Sequence, residues 1–242
     1  MYYYILEPPS SRAVRQNYQR LRDVLTHLGI SGEIVAASPA RTPLELAQMG
    51  MNKGYSTIVA VGGDRHINEI AMAVMGRAVL GIIPLDASPL VTKIIGVHDL
   101  FGAAEALKYR RLSIQSTVVG EPPLTIFLDT EISSSHLAKI SLVLDNRARI
   151  NAYFNKLVIN RFLHIRLEST HMAEERRILG LFRVGGQPVT SQSFFHAKTV
   201  RLITEPLLPL TVAGKPVAKL PIQLRLVPEA LKIITRRGTV LE

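Results

Sequence analysis

Apolar residues recur in two rhythms along this chain, and the rhythm changes near residue 112. Before that point, short continuous apolar runs alternate with stretches in which every third or fourth residue is apolar. Tyr2–Leu6, 34–36, 57–61 (TIVAV) and 79–83 (VLGII) read as strands, the last two buried on both faces. Leu21, Val24, Leu25 and Leu28 fall on one helical face, with Gly29 as the stop. Thr42 and Glu45 have the spacing of a capping box, opening a helix that runs to about Lys53 and ends at Gly54. Residues 67–75 and 100–108 give two further helices. This alternation predicts a Rossmann-like parallel α/β domain over 1–112, with helices on both faces of the sheet.

Beyond residue 112 the runs are short and β-like, at 114–119, 124–128, 140–144, 153–159, 163–167, 178–184, 199–203, 210–212 and 222–227. Turn residues such as Glu121-Pro122-Pro123 and Gly185-Gly186 separate most of them. Short strands at regular intervals predict an antiparallel β-sandwich or barrel over 113–227, of which the β-sandwich domain is the expectation taken. Ser133-Ser134-Ser135 reads as a loop, and 145–155 as either a loop or a continuing hairpin. The expected fold class is therefore α/β plus all-β.

Composition changes this picture little. Hydrophobic residues make up 47% and charged residues 20%, enough apolar material for a packed core. With no cysteine, disulfides and thiolate chemistry are excluded. No apolar run reaches the ~20 residues of a membrane span, and the N-terminus lacks the basic start of a signal peptide. A cytoplasmic protein, with peripheral membrane contact as an option, is the expectation. The net charge of +10 is uneven: residues 1–112 carry 12 basic and 9 acidic side chains, residues 113–242 carry 17 and 10. That balance favours anionic partners, which leaves phosphorylated ligands, acidic lipid surfaces and nucleic acid open.

No two of the seven histidines are four residues apart, so no helical zinc pair is expected and no metal site is assigned. Asp129-Thr130-Glu131 reads either as a carboxylate pair for a cation or as a strand end. There is no Gly-x-Ser-x-Gly nucleophile elbow, and no basic and aromatic interleaving of the single-strand-binding kind.

The segment that carries chemistry is Gly62-Gly63-Asp64-Arg65-His66-Ile67-Asn68-Glu69, at the exit of the TIVAV strand. Two glycines before a helix let backbone approach a ligand, and the helix start presents free N–H groups and partial positive charge. Such a turn suits phosphate, and it is equally a tight strand-to-helix connection. Asp64 reads as a cap for a helix starting near His66. Arg65 and His66 would either grip an anion or fill the space, Arg65 then pairing with Asp64 or Asp86.

In register, Gly62, Gly63, Asp64, Asn68 and Glu69 resemble the GGDGT-x-NE signature of the diacylglycerol kinase catalytic domain family, which includes lipid and sphingosine kinases. Pro8-Pro9-Ser10-Ser11 sits at the family's Asn-Pro-x-Ser-Gly turn. Val79 to Leu85 resembles the strand before its Gly-Thr-Gly-Asn-Asp loop. Val212-Ala213-Gly214-Lys215 aligns with Val-Asp-Gly-Glu. NAD kinases share the superfamily, but their Asn-Glu element lies far downstream. The resemblance implies that 228–242 returns to the first domain, and the second half looks short for the family.

The same resemblance exposes departures. Arg65 and His66 replace Gly and Thr, and an arginine would resist a positive φ. The phosphate loop reads Asp86-Ala87-Ser88-Pro89-Leu90, with no glycine and with a proline that lacks a donor. Ala213 stands where the family has its proposed general base, and Lys215 reverses the charge of its Glu. Together, Asp86, Ser88, Ala213, Gly214 and Lys215 mark the degenerate positions. Three readings follow: a catalytically inactive kinase-fold binding or regulatory module, an active divergent lipid kinase using ATP and Mg²⁺ with Asp86 or Asp129 as replacement acids, and a basic module docking on anionic membrane or nucleic acid.

Overall fold

The computed structural model describes residues 1–172, 176–178, 182–184 and 188–236. The Gly185-Gly186 turn and the last six positions lie outside the described residues. By its contacts the chain divides into two units. One holds Met1–Thr117, Thr125–Leu128 and the chain from Val227, and the other holds Val118–Leu124 and Asp129–Leu226.

In the first unit the order is β1 (Tyr2–Leu6), α1 (Arg12–His27), β2 (Gly32–Ala36), α2 (Pro43–Asn52), β3 (Thr57–Gly62), α3 (Asp64–Val74), β4 (Val79–Pro84), α4 (Pro89–Ile95) and α5 (Leu100–Tyr109). The strands pair in parallel, β2–β1–β3–β4. Strand β3 is buried along its whole length, as a parallel strand covered by helices on both faces must be. The core combines Tyr3, Ile5, Val59, Val61, Leu80 and Ile83 of the sheet with Leu21, Leu46, Ile67 and Ile70 of the helices.

The helix ends follow local chemistry. Thr42 Oγ1 accepts the Glu45 N–H and the Glu45 carboxylate accepts the Thr42 N–H, closing the capping box. Gly29 and Gly54, just past α1 and α2, have φ of 66° and 88°, a region open to glycine without penalty. Helix α4 has no counterpart in the sequence reading. Pro89 occupies its first turn, where a missing N–H is no loss.

The second unit is antiparallel and strand-rich. The connection β5 (Leu112–Glu121) and β6 (Leu124–Ile126) leads to β7 (Thr130–Leu144), β8 (Ala148–Ile159), β9 (His164–Met172), β10 (Arg176–Ile178), β11 (Phe182–Val184), β12 (Pro188–His196), β13 (Thr199–Glu205), β14 (Pro209–Val212), β15 (Lys215–Lys219) and β16 (Ile222–Ile234). Its main ladder runs β12–β9–β8–β7–β13–β16. The ambiguous 145–155 is a continuing hairpin, with Asp145 and Asn146 both at positive φ in the turn. The Ser133–Ser135 segment is not a loop but part of β7. Its irregularity appears as a register shift between Ser133 and Ala138.

Strand β16 serves both ladders. Its first residues pair antiparallel with β13, and Lys232 and Ile233 pair in parallel with Val79 and Leu80 of β4.

Candidate functional site

In the parallel sheet, β2 lies on one side of β1 and β3 on the other, so the chain reverses direction of travel at β1. Open α/β sheets bind ligands outside the carboxyl ends of the strands at such a switch point. Here those ends are Leu6-Glu7 and Gly62-Gly63. The Glu7 N–H continues the ladder to the Val61 carbonyl at 2.9 Å, which holds the side chain beside the glycine turn.

The Gly63 N–H donates to Glu7 Oε2 at 2.7 Å. A Cβ on Gly62 would stand 2.6 Å from the same oxygen and 2.7 Å from Glu7 Cβ, so glycine is required there by crowding. The chain thus places its own carboxylate on the N–H that the turn presents. Tyr18 fixes the other end of Glu7 by donating its hydroxyl to the Glu7 carbonyl. Burial, and secondarily the Glu7 charge, push the Tyr18 phenol up to about 12.

Helix α3 begins at Asp64 rather than near His66, and Asp64 is not its cap. The buried Asp64 carboxylate instead accepts the Ser88 N–H at 2.7 Å. Asp86 takes a positive φ of 60° itself, so the loop makes its bend without glycine. The Ser88 hydroxyl is buried and has no hydrogen-bond partner.

Arg65 lies inside the helix at ordinary helical φ, so it carries no backbone strain. It is exposed, and its Nε donates to Glu69 Oε1 at 2.8 Å, one helical turn on. Its partner is therefore neither Asp64 nor Asp86. His66 is 3% exposed. Its Nε2 donates to the Ile5 carbonyl at 2.9 Å, which fixes the tautomer of the neutral ring. Burial holds the imidazole pKa below its ordinary value, against opposing contributions from the Ile5 bond, Glu7 and Glu69.

Asn68 is a clamp. Its Nδ2 donates to the Thr125 carbonyl, and its Oδ1 accepts the Phe127 N–H at 2.9 Å. Both bonds are buried, and they tie α3 to the 125–128 segment of the same unit. In the second unit, Ala213 and Gly214 form the β14–β15 turn at φ of 48° and 74°, with Lys215 opening β15. Asp129 is exposed just ahead of β7, and Glu131 pairs with Lys156 at 2.8 Å. Among the described residues no three His, Asp or Glu side chains are placed to hold a metal, and no helix is long and apolar enough to cross a membrane.

The structure therefore brings Gly62, Gly63, Asp64, Asp86 and Ser88 together and leaves Arg65 on the surface. Sequence reasoning missed Glu7 and Tyr18. The available signal was the position of Glu7, one residue past a strand whose parallel neighbour ends in the glycine turn.

Residues 2–111 match the model of the diacylglycerol kinase catalytic domain family. No curated protein matches the sequence. The chain is similar to the crystal structure of a diacylglycerol kinase from Bacillus anthracis strain Sterne, at 13% identity and a TM-score of 0.68, over 97% of this chain and 96% of that one. The second half is thus not short against this relative. An NAD kinase from Archaeoglobus fulgidus in complex with ATP covers 98% of this chain, with 94% of its own length aligned, at 12% identity and a TM-score of 0.51. Yeast NADH kinase complexed with NADH gives 9% identity, 97% and 83% coverage and a TM-score of 0.52. Residues 2–111 are thus similar to the diacylglycerol kinase catalytic domain, and the whole chain shares its fold with these diacylglycerol kinase and NAD kinase structures.

Proposed function

We propose that this protein is a diacylglycerol kinase-fold binding or regulatory module that does not transfer phosphate from ATP to a lipid hydroxyl. The observation that carries this reading is the 2.7 Å bond from the Gly63 N–H to the Glu7 carboxylate. A nucleotide phosphate at this turn would have to displace a carboxylate from the donor it needs, and a second carboxylate, Asp64, holds the neighbouring loop. The residues of this turn do not fit a triphosphate. Two further features support the reading. Arg65 is engaged with Glu69 on the surface, and Ala213 has no group that accepts a proton. Phosphoryl transfer depends on positioned phosphates, metal and base together. The net charge of +10 favours anionic ligands for such a module.

The test is radiolabelled ATP and magnesium with diacylglycerol, sphingosine and mixed lipid extracts. No phosphorylated lipid is expected. Turnover near ~1 s⁻¹, within the ordinary enzyme range, would overturn the proposal in favour of a divergent active lipid kinase. Asp86 and Asp129 would then be the first residues to replace.

A further inference from the structure

A second feature of the α/β unit lies at the opposite end of its strands. Ser56, just ahead of β3, and Val79, at the amino end of β4, border a cavity of about 290 Å³. Along β3, Thr57 is five residues from Gly62, roughly 17 Å at the rise of a strand. Three cations from three separate elements line it: Arg77 from the turn after α3, Arg110 from the end of α5, and Lys232 from β16. Glu229 is the one acid in the lining. None of the three cations makes an ion pair among the described residues. Arg110 is instead directed along the wall by Thr57 Oγ1 at 3.1 Å and Ser56 Oγ at 3.4 Å.

Like charges gathered around a concave surface repel one another, and a cleft of one sign concentrates ions of the other. The backbone sets the direction of two of the lining residues. Arg110 and Glu229, both in the lining, are non-glycine residues held at positive φ, 48° and 53°. At Arg110 this is the left-handed cap that ends α5 and aims the side chain along the cavity, and at Glu229 it is a conformation uncommon for the residue type.

We propose that this cavity is a binding site for a phosphate dianion, free or as a phosphomonoester. Arginine suits phosphate through paired N–H donors, and Lys232 supplies a point charge beside it. Glu229 opposes the three cations with one negative charge and so limits how tightly any anion is held. The site is separate from the glycine turn, and its test does not depend on whether the protein transfers phosphate.

The experiment is calorimetric titration of the full chain with inorganic phosphate and glycerol phosphate, with amide NMR to locate the site. Co-sedimentation with phosphatidylcholine vesicles, with and without phosphatidate, forms a second arm. Binding of the soluble probes, with shifts at Gly76, Arg110 and Lys232, is the expected result. Binding only to phosphatidate vesicles would assign the same chemistry to a lipid headgroup. Arg77→Gln and Lys232→Gln, both on exposed side chains, are each expected to weaken binding about tenfold or more, and Glu229→Gln to tighten it. The proposal is overturned if no probe binds, if the Arg77→Gln/Lys232→Gln double variant binds like the parent, or if the shifts fall at Gly63 instead.

Discussion

Glu7 and Gly63 stand 56 positions apart in sequence and meet at 2.7 Å, carboxylate oxygen to backbone N–H. A glycine turn at a helix start ordinarily presents that donor to a ligand. Here the strand next door supplies the anion. On the proposed reading, the group that closes the turn to nucleotide is Glu7 rather than Arg65 of the signature, and the first two predictions separate the two.

Replacing Glu7 by Asn removes the charge and leaves a neutral side chain at the turn. ATP-dependent thermal stabilisation is expected to appear in Glu7→Asn and to be absent in the parent, because a ligand at many times its Kd raises stability by a few kcal/mol. A variant as unresponsive as the parent would show that Glu7 does not by itself keep nucleotide away. Glu7→Ala, which leaves the Gly63 donor without its partner, is expected to lose about 1–3 kcal/mol in urea unfolding.

Arg65→Gly restores the family's fourth signature residue but changes only a helical surface position. It is expected to cost about 1 kcal/mol in helix propensity and to confer no ATP response. Arg65→Ala should fall within about 0.5 kcal/mol of the parent, the scale of an exposed i,i+4 pair. A nucleotide response in Arg65→Gly alone would move the obstruction from Glu7 to Arg65.

Asn68→Ala removes a buried donor and a buried acceptor at once, leaving the Thr125 carbonyl and the Phe127 N–H unpaired. A loss of about 2–4 kcal/mol is expected in denaturant unfolding. Asn68→Asp keeps the bond to Phe127 but sets a carboxylate against the Thr125 carbonyl, so it should not rescue. A loss under about 0.5 kcal/mol for the alanine variant, as at an ordinary surface site, would contradict the clamp.

His66 gives the stability a pH dependence. Its folded pKa is lowered, chiefly by burial, with the Glu7 and Glu69 charges opposing. Below an unfolded value of about 6.5 the unfolded chain therefore binds the proton that the folded chain resists. Stability is full above that pH and falls as pH drops toward the lowered folded value, by at most about 1.4 kcal/mol per unit for one proton. His66→Gln is expected to flatten the slope between neutral pH and the onset of general acid unfolding. An unchanged slope would assign it to other groups.

Much of the α/β unit could be read in advance because its signals are local. TIVAV is apolar at every position, Thr42 and Glu45 are three apart, and Gly29 and Gly54 stand where helices must stop. The elements that escaped depend on context. In sequence Pro89 looks like the loss of a donor in a loop, whereas at the first turn of α4 no donor is needed. Three serines in a row look like a loop until the ladder on both sides, β7 against β8, makes them an irregularity within a strand. Asp64 and Asn68 stand out by resemblance, but nothing near them in sequence points to the backbone atoms of their partners Ser88, Thr125 and Phe127. Glu7 is the extreme case, for its role exists only once β1 and β3 lie side by side.

Strand β16 has a consequence in time. Val79 and Leu80 find their outer neighbours in Lys232 and Ile233, about 150 residues later. At roughly 5–20 residues per second of synthesis, β4 waits on the order of 10–30 s on the ribosome with that edge unpaired. An apolar strand in this condition is a template for pairing with another chain. The newborn protein thus passes through a window in which the β4 edge is open to a wrong partner, and that window closes only when β16 arrives.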